Sequence, residues 1–349
     1  MRMKKVVVIG HMDWVGNDMI GAVVKARNIY EQLGNEFGTD QVESVDIYNW
    51  KKKKIKTMLS IGTAFIKSKN IVLVCSDTSK ILMKLFSALK NVFSNSIYYC
   101  VVGGDVAELL QSNPERIPTL KCIDDFFVET EDCVAGLKAL GIENAVLLRN
   151  FKCIDAVKTI KPYTNKVIKL CTFSRVTEQK GIGDAAAVVE QLNQEIPDIQ
   201  CELDVYGAID PEYKEKFENL LNENEHSHYC GMVDANSSVD ILKDYYCLLF
   251  PTKYQTEGIP GTIIDGFAAA LPVICSNWIR CRQVVTDGVD GIVYPFGNVE
   301  ALKDSIKFAI ENPKSLEKLR VGALNSFQKY RPEVAVAPLV EAIKQETEN

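Results

Sequence analysis

The stretch that decides the fold is "YCLLFPTKYQTEGIPGTIIDGFAAALPVICS", residues 246–276. It opens on an apolar run, "YCLLFP" (246–251), and closes on a second, "PVICS" (272–276). Between them the chain carries a Gly-Pro-Gly turn and then a helical stretch from about Gly261. Two short strands joined through a helix form a unit of a parallel sheet, covered by helices on its faces. Within this unit, Glu257 precedes the turn and Asp265 follows eight positions later. Either the two are ordinary acids favoured near a helix start, or they are a pair of carboxylates that grip a polyhydroxy ligand beside free backbone amides.

Working outward, the same alternation runs through the chain. The expected strands of a first series are 5–10, 42–48, 70–76, 96–102, 124–130 and 144–150. A second series falls at 167–174, 201–207, 227–233, 246–251, 272–276 and 291–295. A first helix is expected over Gly21–Leu33. The segment between the series carries Pro162, several lysines and little periodicity, which marks a linker. The expected organisation is therefore an α/β Rossmann-like domain at 1–155, a linker at 156–166 and a second such domain at 167–328. A C-terminal helix in 329–349 is expected to pack back toward the N-terminal domain. Ligands of doubly wound sheets bind beyond the carboxyl ends of the strands, so the loops that follow strands are the ones to search.

A chain of 349 residues with 47% apolar side chains has the composition of a globular protein. No apolar run approaches the ~20 residues that span a bilayer, and the five or so apolar residues after the N-terminal lysines are too few for a signal peptide. Eleven scattered cysteines without a Cys-x-x-Cys pair read as reduced core thiols, and hence a cytoplasmic protein. With three histidines, two of them in "HSH", a histidine-built metal site is not expected. The net charge of −6 conceals an uneven distribution: residues 51–100 hold ten lysines, no arginine and one acid, Asp77. A basic segment in an acidic chain implies a local anionic partner rather than nucleic acid. In "SKILMKLFSALKNVF" (79–93), Lys80, Lys84, Ser87 and Asn91 share one helical face and apolar side chains fill the rest. That pattern suits either a solvated helix or one lying at a membrane surface.

A second informative loop is "FSRVTEQKGIGDAAAVVEQL" (173–192). Arg175 and Lys180 leave a strand end, and Gly181 and Gly183 precede a helix starting near Asp184. Two cations beside a helix N-terminus make a diphosphate clamp. Taken alone, the same residues are equally a solvated basic loop. The first strand is not followed by Gly-x-Gly-x-x-Gly, and the chain lacks a Walker loop, a Gly-x-Ser-x-Gly elbow and a paired-His zinc motif. These absences argue against dinucleotide-dependent redox chemistry and nucleoside triphosphate hydrolysis.

Together, "SRVTEQKGIGD", "LDVYG", "HYCGMV", "LLFPTKYQTEGIPGTIIDGFAAALPVICSNW" and "VVTDGVDGIVYP" resemble glycosyltransferase family 4 in order and spacing, over residues 165–330. The N-terminal half resembles it more loosely, through its first loop and "VETEDCVAGLKALGIENAVLLRNF". The resemblance implies the GT-B fold, two Rossmann-like doubly wound domains facing across a cleft. It also implies retaining, metal-independent transfer of a sugar from a nucleotide-sugar donor to a glycan or lipid-linked glycan in bacterial polysaccharide assembly. By the resemblance, Arg175 and Lys180 neutralise the donor diphosphate and Glu257 contacts the donor sugar. The amides of Gly258, Ile259, Pro260 and Gly261 line sugar and phosphates (Pro260 contributing its fixed backbone rather than a donor). Asp265 stands where the family has the Glu that holds the ribose, and Gly231, Met232 and Val233 match the loop that packs on the base. His11, Gly16, Gly21, Gly103 and Gly104 are the acceptor-side candidates.

The chain departs from the family pattern at Asp265, one methylene short, and at Gln283, where a Glu is common. "VVGGDVAE" (101–108) also lacks the histidine many relatives carry there. Those departures keep two alternatives open: a nucleotide-sugar epimerase of the same fold, and a catalytically silent partner subunit of a transferase. The lysine-rich segment 51–90 suggests peripheral contact with the anionic inner face of a membrane.

Overall fold

Val6, Val7, Val8 and Ile9 are all buried, and so is every residue of "NIVLVC" and "SIYYCV". Strands apolar on both faces need helices on both faces, which is why continuous apolar runs rather than alternating ones mark this fold. The computed structural model describes residues 3–14, 16, 21–75, 80–196, 198–234 and 237–348, apart from the side chains of Lys80, Thr347 and Glu348. The end of the expected third strand, Ser76, and the first residue of the lysine-bearing helical stretch, Ser79, lie outside them. So does the side chain of Lys80.

The chain divides into two units, residues 1–153 with 330–349, and residues 154–329. The first holds β1 (Val6–Gly10), β2 (Val42–Asp46), β3 (Asn70–Cys75), β4 (Ser96–Val101), β5 (Asp125–Val128) and β6 (Ala145–Leu147). They form a parallel sheet in the order β2-β1-β3-β4-β5-β6. The second holds β7 (Val167–Phe173), β8 (Gln200–Tyr206), β9 (Ser227–Gly231), β10 (Cys247–Phe250), β11 (Val273–Ser276) and β12 (Gly291–Tyr294). Its order is β12-β11-β10-β7-β8-β9, again parallel throughout. In each sheet the strand order reverses at one place, between β1 and β3 and between β7 and β10. Adjacent loops diverge there and leave a crevice.

The reversal also explains the C-terminal helix. Right-handed crossovers place helix Gly21–Phe37 on one face of the first sheet and the later helices on the other. One helix cannot cover its face alone. Val336, Leu339, Val340 and Ile343 fill the remainder, packed with Val6, Val8, Ile29 and Leu33, and Tyr98 Oη donates to Ala342 O at 3.1 Å. Each such buried aliphatic side chain contributes about 1.5–3 kcal/mol.

Residues 156–166 belong to the second unit and are tied to it. Val157 N–H donates to Ala268 O at 2.9 Å, and the Tyr163 ring meets that of Tyr246 edge-on at 4.9 Å. Cys75, Cys100, Cys171, Cys247 and Cys275 are buried, and burial pushes the thiols of Cys100 and Cys247 up to about 12. A thiol held neutral in that way is a small apolar filler rather than a nucleophile.

Candidate donor site at the strand-order reversal of the second unit

At the reversal between β7 and β10, two loops leave neighbouring strand ends and are sewn together. The first loop ends at Gly181, whose φ of +69° belongs to the left-handed region that glycine enters without penalty. A Cβ at that position would lie 1.9 Å from Pro251 O in the second loop. Only glycine permits both the turn and the contact. Across the junction, Lys253 N–H donates to Gln179 O at 2.7 Å. The Thr252 hydroxyl reaches the same carbonyl at 3.4 Å.

This lacing brings Lys180 and Glu257 together. Lys180 Nζ donates to Glu257 Oε1 and lies 5.3 Å from the centroid of the Phe250 ring. Thr252 Oγ1 donates to the same Glu257 oxygen at 3.1 Å, and Thr252 O accepts from Ser276 Oγ at 2.7 Å. Thr252 and Ser276 are buried, so the carboxylate rests on a fixed base. Lys180 and Glu257 are themselves 20% and 12% exposed, held but open on one side. Neither Thr252 nor Ser276 was singled out from the sequence. A small hydroxyl after a strand is common, and only the folded register reveals its target.

Helices open at both loops: Ile182–Glu195 after Gly181, and Gly261–Ala268 after Pro260. Neither carries a side-chain cap, whereas Thr130 Oγ1 and Asn298 Oδ1 cap the helices that follow them elsewhere. In the first turn after Pro260, the buried Thr262 hydroxyl makes no hydrogen bond among the described residues. An uncapped helix start beside a lysine is the arrangement that can take a phosphate-sized anion. Arg175 is exposed on the first loop, and its guanidinium makes no hydrogen bond or ion pair among the described residues. It is a long cation with freedom to reach a ligand.

The remaining expected residues fall elsewhere. Gly258, Pro260 and Gly261 are half-buried along the second loop, and Ile259 is buried. Asp265 is fully buried in helix Gly261–Ala268, and its Oδ1 accepts from Ser238 Oγ at 2.9 Å. It is engaged with the neighbouring helix Ser238–Leu242 rather than presented at the surface beside Glu257. Met232 and Val233 follow β9, the edge strand, two strands from β7, and Met232 is 73% exposed. Gln283 sits in the short helix Cys281–Val284.

In the first unit, His11 leaves β1 at the other reversal and lines a cavity of about 340 Å³ with Ile47, Asn49, Trp50, Lys51, Lys52, Cys75 and Leu82. Its ring lies edge-on to Tyr48 at 6.3 Å. Gly16 approaches Asp13, where a Cβ would meet the carboxylate. Gly21 begins helix Gly21–Phe37, and Gly103, with φ +102°, leads into Gly104 after β4. This unit also holds a buried ion pair, Lys25 and Glu129. Among the described residues no group of three His, Cys, Asp or Glu is arranged to hold a metal ion.

Residues 156–325 match the family described as glycosyl transferases group 1, a span that contains every residue of the site just described. The match lies within the second unit. A curated relative, an uncharacterized glycosyltransferase of Methanocaldococcus jannaschii, is 24% identical over 264 residues. Those residues are 73% of this chain and 63% of that protein. Among solved structures, HepE of Anabaena in complex with UDP superposes with a TM-score of 0.73 at 12% identity, covering 98% of this chain and 100% of that one. Sucrose-phosphate synthase of Thermosynechococcus elongatus gives 0.76 at 15% identity, over 99% and 100%. At these identities the likeness is one of fold, the GT-B class of two Rossmann-like units.

Gly181→Ala is expected to unseat this site. The strained backbone alone costs about 1–3 kcal/mol, and the clash with Pro251 O forces the two loops apart. Circular dichroism melting would show the loss of stability. A Gly181→Ala chain that melts like the parent would contradict the contact.

Proposed function

We propose that the protein is a retaining glycosyltransferase that moves a sugar from a nucleotide-sugar donor to a glycan or lipid-linked glycan acceptor, as in polysaccharide assembly. The observation that carries this reading is the Lys180–Glu257 pair, fixed on Thr252 at the strand-order reversal beside an uncapped helix. Lys180 and Arg175 take the donor diphosphate, with the amides after Pro260. Glu257 takes hydroxyls of the donor sugar. Asp265 is given the task of fixing helix Gly261–Ala268 through Ser238, and reaches the ribose only if it leaves that bond. Met232 and Val233 lie along the base, and the first unit, with its cavity at His11, receives the acceptor.

The chemistry asks these residues for charge stabilisation and position. The bond between the anomeric carbon and the diphosphate oxygen breaks with its electron pair on that oxygen. The acceptor hydroxyl attacks the same face, and its proton passes to the departing phosphate. Cations preorganised on the leaving group lower that barrier without a metal or a covalent intermediate. Such an enzyme works in the cytoplasm, at the inner face of the membrane where its acceptor is held. The family match and the UDP complexes of HepE and of pneumococcal GtfA, the latter at 16% identity and TM-score 0.63, support the donor class.

A thermal-shift screen of nucleotide sugars and nucleoside diphosphates tests the reading. A ligand at 100 times its Kd adds about 2.7 kcal/mol to stability, and Lys180→Ala is expected to abolish the shift. Absence of a shift with every donor would defeat it. Isomerised sugar formed from donor alone would make the protein an epimerase instead.

A further inference from the structure

Helices Lys54–Lys67 and Lys80–Phe93 both pack on the core of the first unit and meet each other through the stacked rings of Phe65 and Phe86, 5.9 Å apart. Their inner faces are ordinary: Ile61, Ala64 and Phe65 on one, Leu82, Met83 and Phe86 on the other, all buried. Their outer faces are not. On the first helix Ile55, Leu59 and Ile66 are 78%, 68% and 53% exposed. Positions 55, 59, 62 and 66 advance by 4, 3 and 4, so with Gly62 they form one outward stripe. On the second helix Ile81, Val92 and Phe93 are 56%, 72% and 40% exposed, while Leu85 packs against the core. A surface helix ordinarily turns polar residues outward, and single exposed apolar residues need no explanation. Exposed apolar side chains gathered on two adjoining helices do.

Lysines frame these stripes. Lys51, Lys52, Lys53, Lys54 and Lys56 lead into the first helix, exposed and without a carboxylate partner among the described residues. Their alkyl stems can lie along apolar surface while the ammonium groups reach an anionic layer. The occupant must therefore supply negative charge and apolar depth together. Nucleic acid offers no apolar layer for Ile55, Leu59 and Val92. A second copy meeting this face symmetrically would set lysines against lysines. An anionic bilayer supplies both, and no helix among the described residues is long and apolar enough to cross it, which leaves the interface.

We propose that the outer face of helices Lys54–Lys67 and Lys80–Phe93 docks the protein on the surface of a membrane rich in anionic lipid. Both helices belong to the first unit, and the donor residues belong to the second.

Flotation of the full chain with vesicles of phosphatidylcholine alone, or with added phosphatidylglycerol, tests it. Binding is expected to the anionic vesicles and to fall as salt screens the lysines. Changing Lys51, Lys52 and Lys53 to Gln should weaken partitioning on the order of a hundredfold, at about fivefold for each lysine near the surface. Ile55→Ser with Leu59→Ser should abolish binding while melting and nucleoside diphosphate affinity stay unchanged, since both side chains are exposed. Indifference to anionic vesicles would overturn the proposal, as would serine variants that still float. A dimer seen by light scattering and lost in those variants would do the same, because a second copy would then cover the face. A chain that floats but binds no nucleotide sugar would keep this inference and sink the transferase reading.

Discussion

Glu257→Gln is expected to lower sugar transfer about a hundredfold while leaving nucleoside diphosphate affinity equal or higher. In the proposed role Glu257 faces two partners, and the two effects therefore separate. Toward the donor sugar it is the charged acceptor, and a hundredfold loss is about 2.7 kcal/mol of transition-state stabilisation, at 1.36 kcal/mol per factor of ten. Toward Lys180 it is a competitor for the same ammonium that the diphosphate needs. Glutamine has the same shape and still accepts from Thr252 Oγ1, so the loop keeps its seat, but Lys180 turns its charge wholly to phosphate. Transfer from labelled donor, calorimetry with the nucleoside diphosphate and a melting curve check the three parts. Lys180→Met should show the opposite pattern, with diphosphate affinity falling first. If both properties fell together in Glu257→Gln, the pair would be a prop of the loop rather than a donor contact. Unchanged turnover would remove Glu257 from the donor sugar altogether.

Much of the fold was legible because buried parallel strands leave a plain trace. "VVVIG", "NIVLVC" and "CLLF" have no polar alternation to place one face in water, and the structure buries every residue of each. The edge strand "SHYCG" lacks that trace, and it is largely exposed. At the site, local chemistry showed and distant chemistry did not. Gly181 was readable as a turn, yet the reason it must be glycine is the carbonyl of Pro251, seventy residues away. Thr252 and Ser276 gave no signal, because what matters is the oxygen each one reaches. Asp265 could have been read differently. Ile263, Ile264 and Phe267 surround it on a helix with no polar face, and a carboxylate there lies inside. Lys25 left a similar trace. In "GAVVKARNIYEQL" the residues Ala22, Ala26, Ile29 and Leu33 make the inward stripe, and Lys25 lies beside it.

Lys25→Met should destabilise the first unit by about 3–5 kcal/mol, the cost of leaving one member of a buried ion pair without the other. Lys25 Nζ donates to Glu129 Oε1 at 2.6 Å and to Val101 O at 2.7 Å, and the two side chains are 2% and 5% exposed. Methionine fills the volume of Lys25 and takes its ammonium away from Glu129 and Val101 O. Three elements lose their common tie: helix Gly21–Phe37, the end of β4 at Val101 and the residue that follows β5. In units of this size each kcal/mol lowers Tm by roughly 2–4 °C, so a fall of about 10 °C is expected. Because the chain has two units, the melt should resolve into two transitions, and only the one insensitive to nucleoside diphosphate should move. The double substitution Lys25→Met with Glu129→Gln decides what the pair contributes. With both charges gone, most of the loss should return, since desolvating the two ions consumes much of their attraction. If the double variant melted lower still, the pair would be a net source of stability in its own right. If Lys25→Met melted like the parent, Glu129 would have found water or another cation, and the tie between helix Gly21–Phe37 and the strand ends would not rest on this lysine.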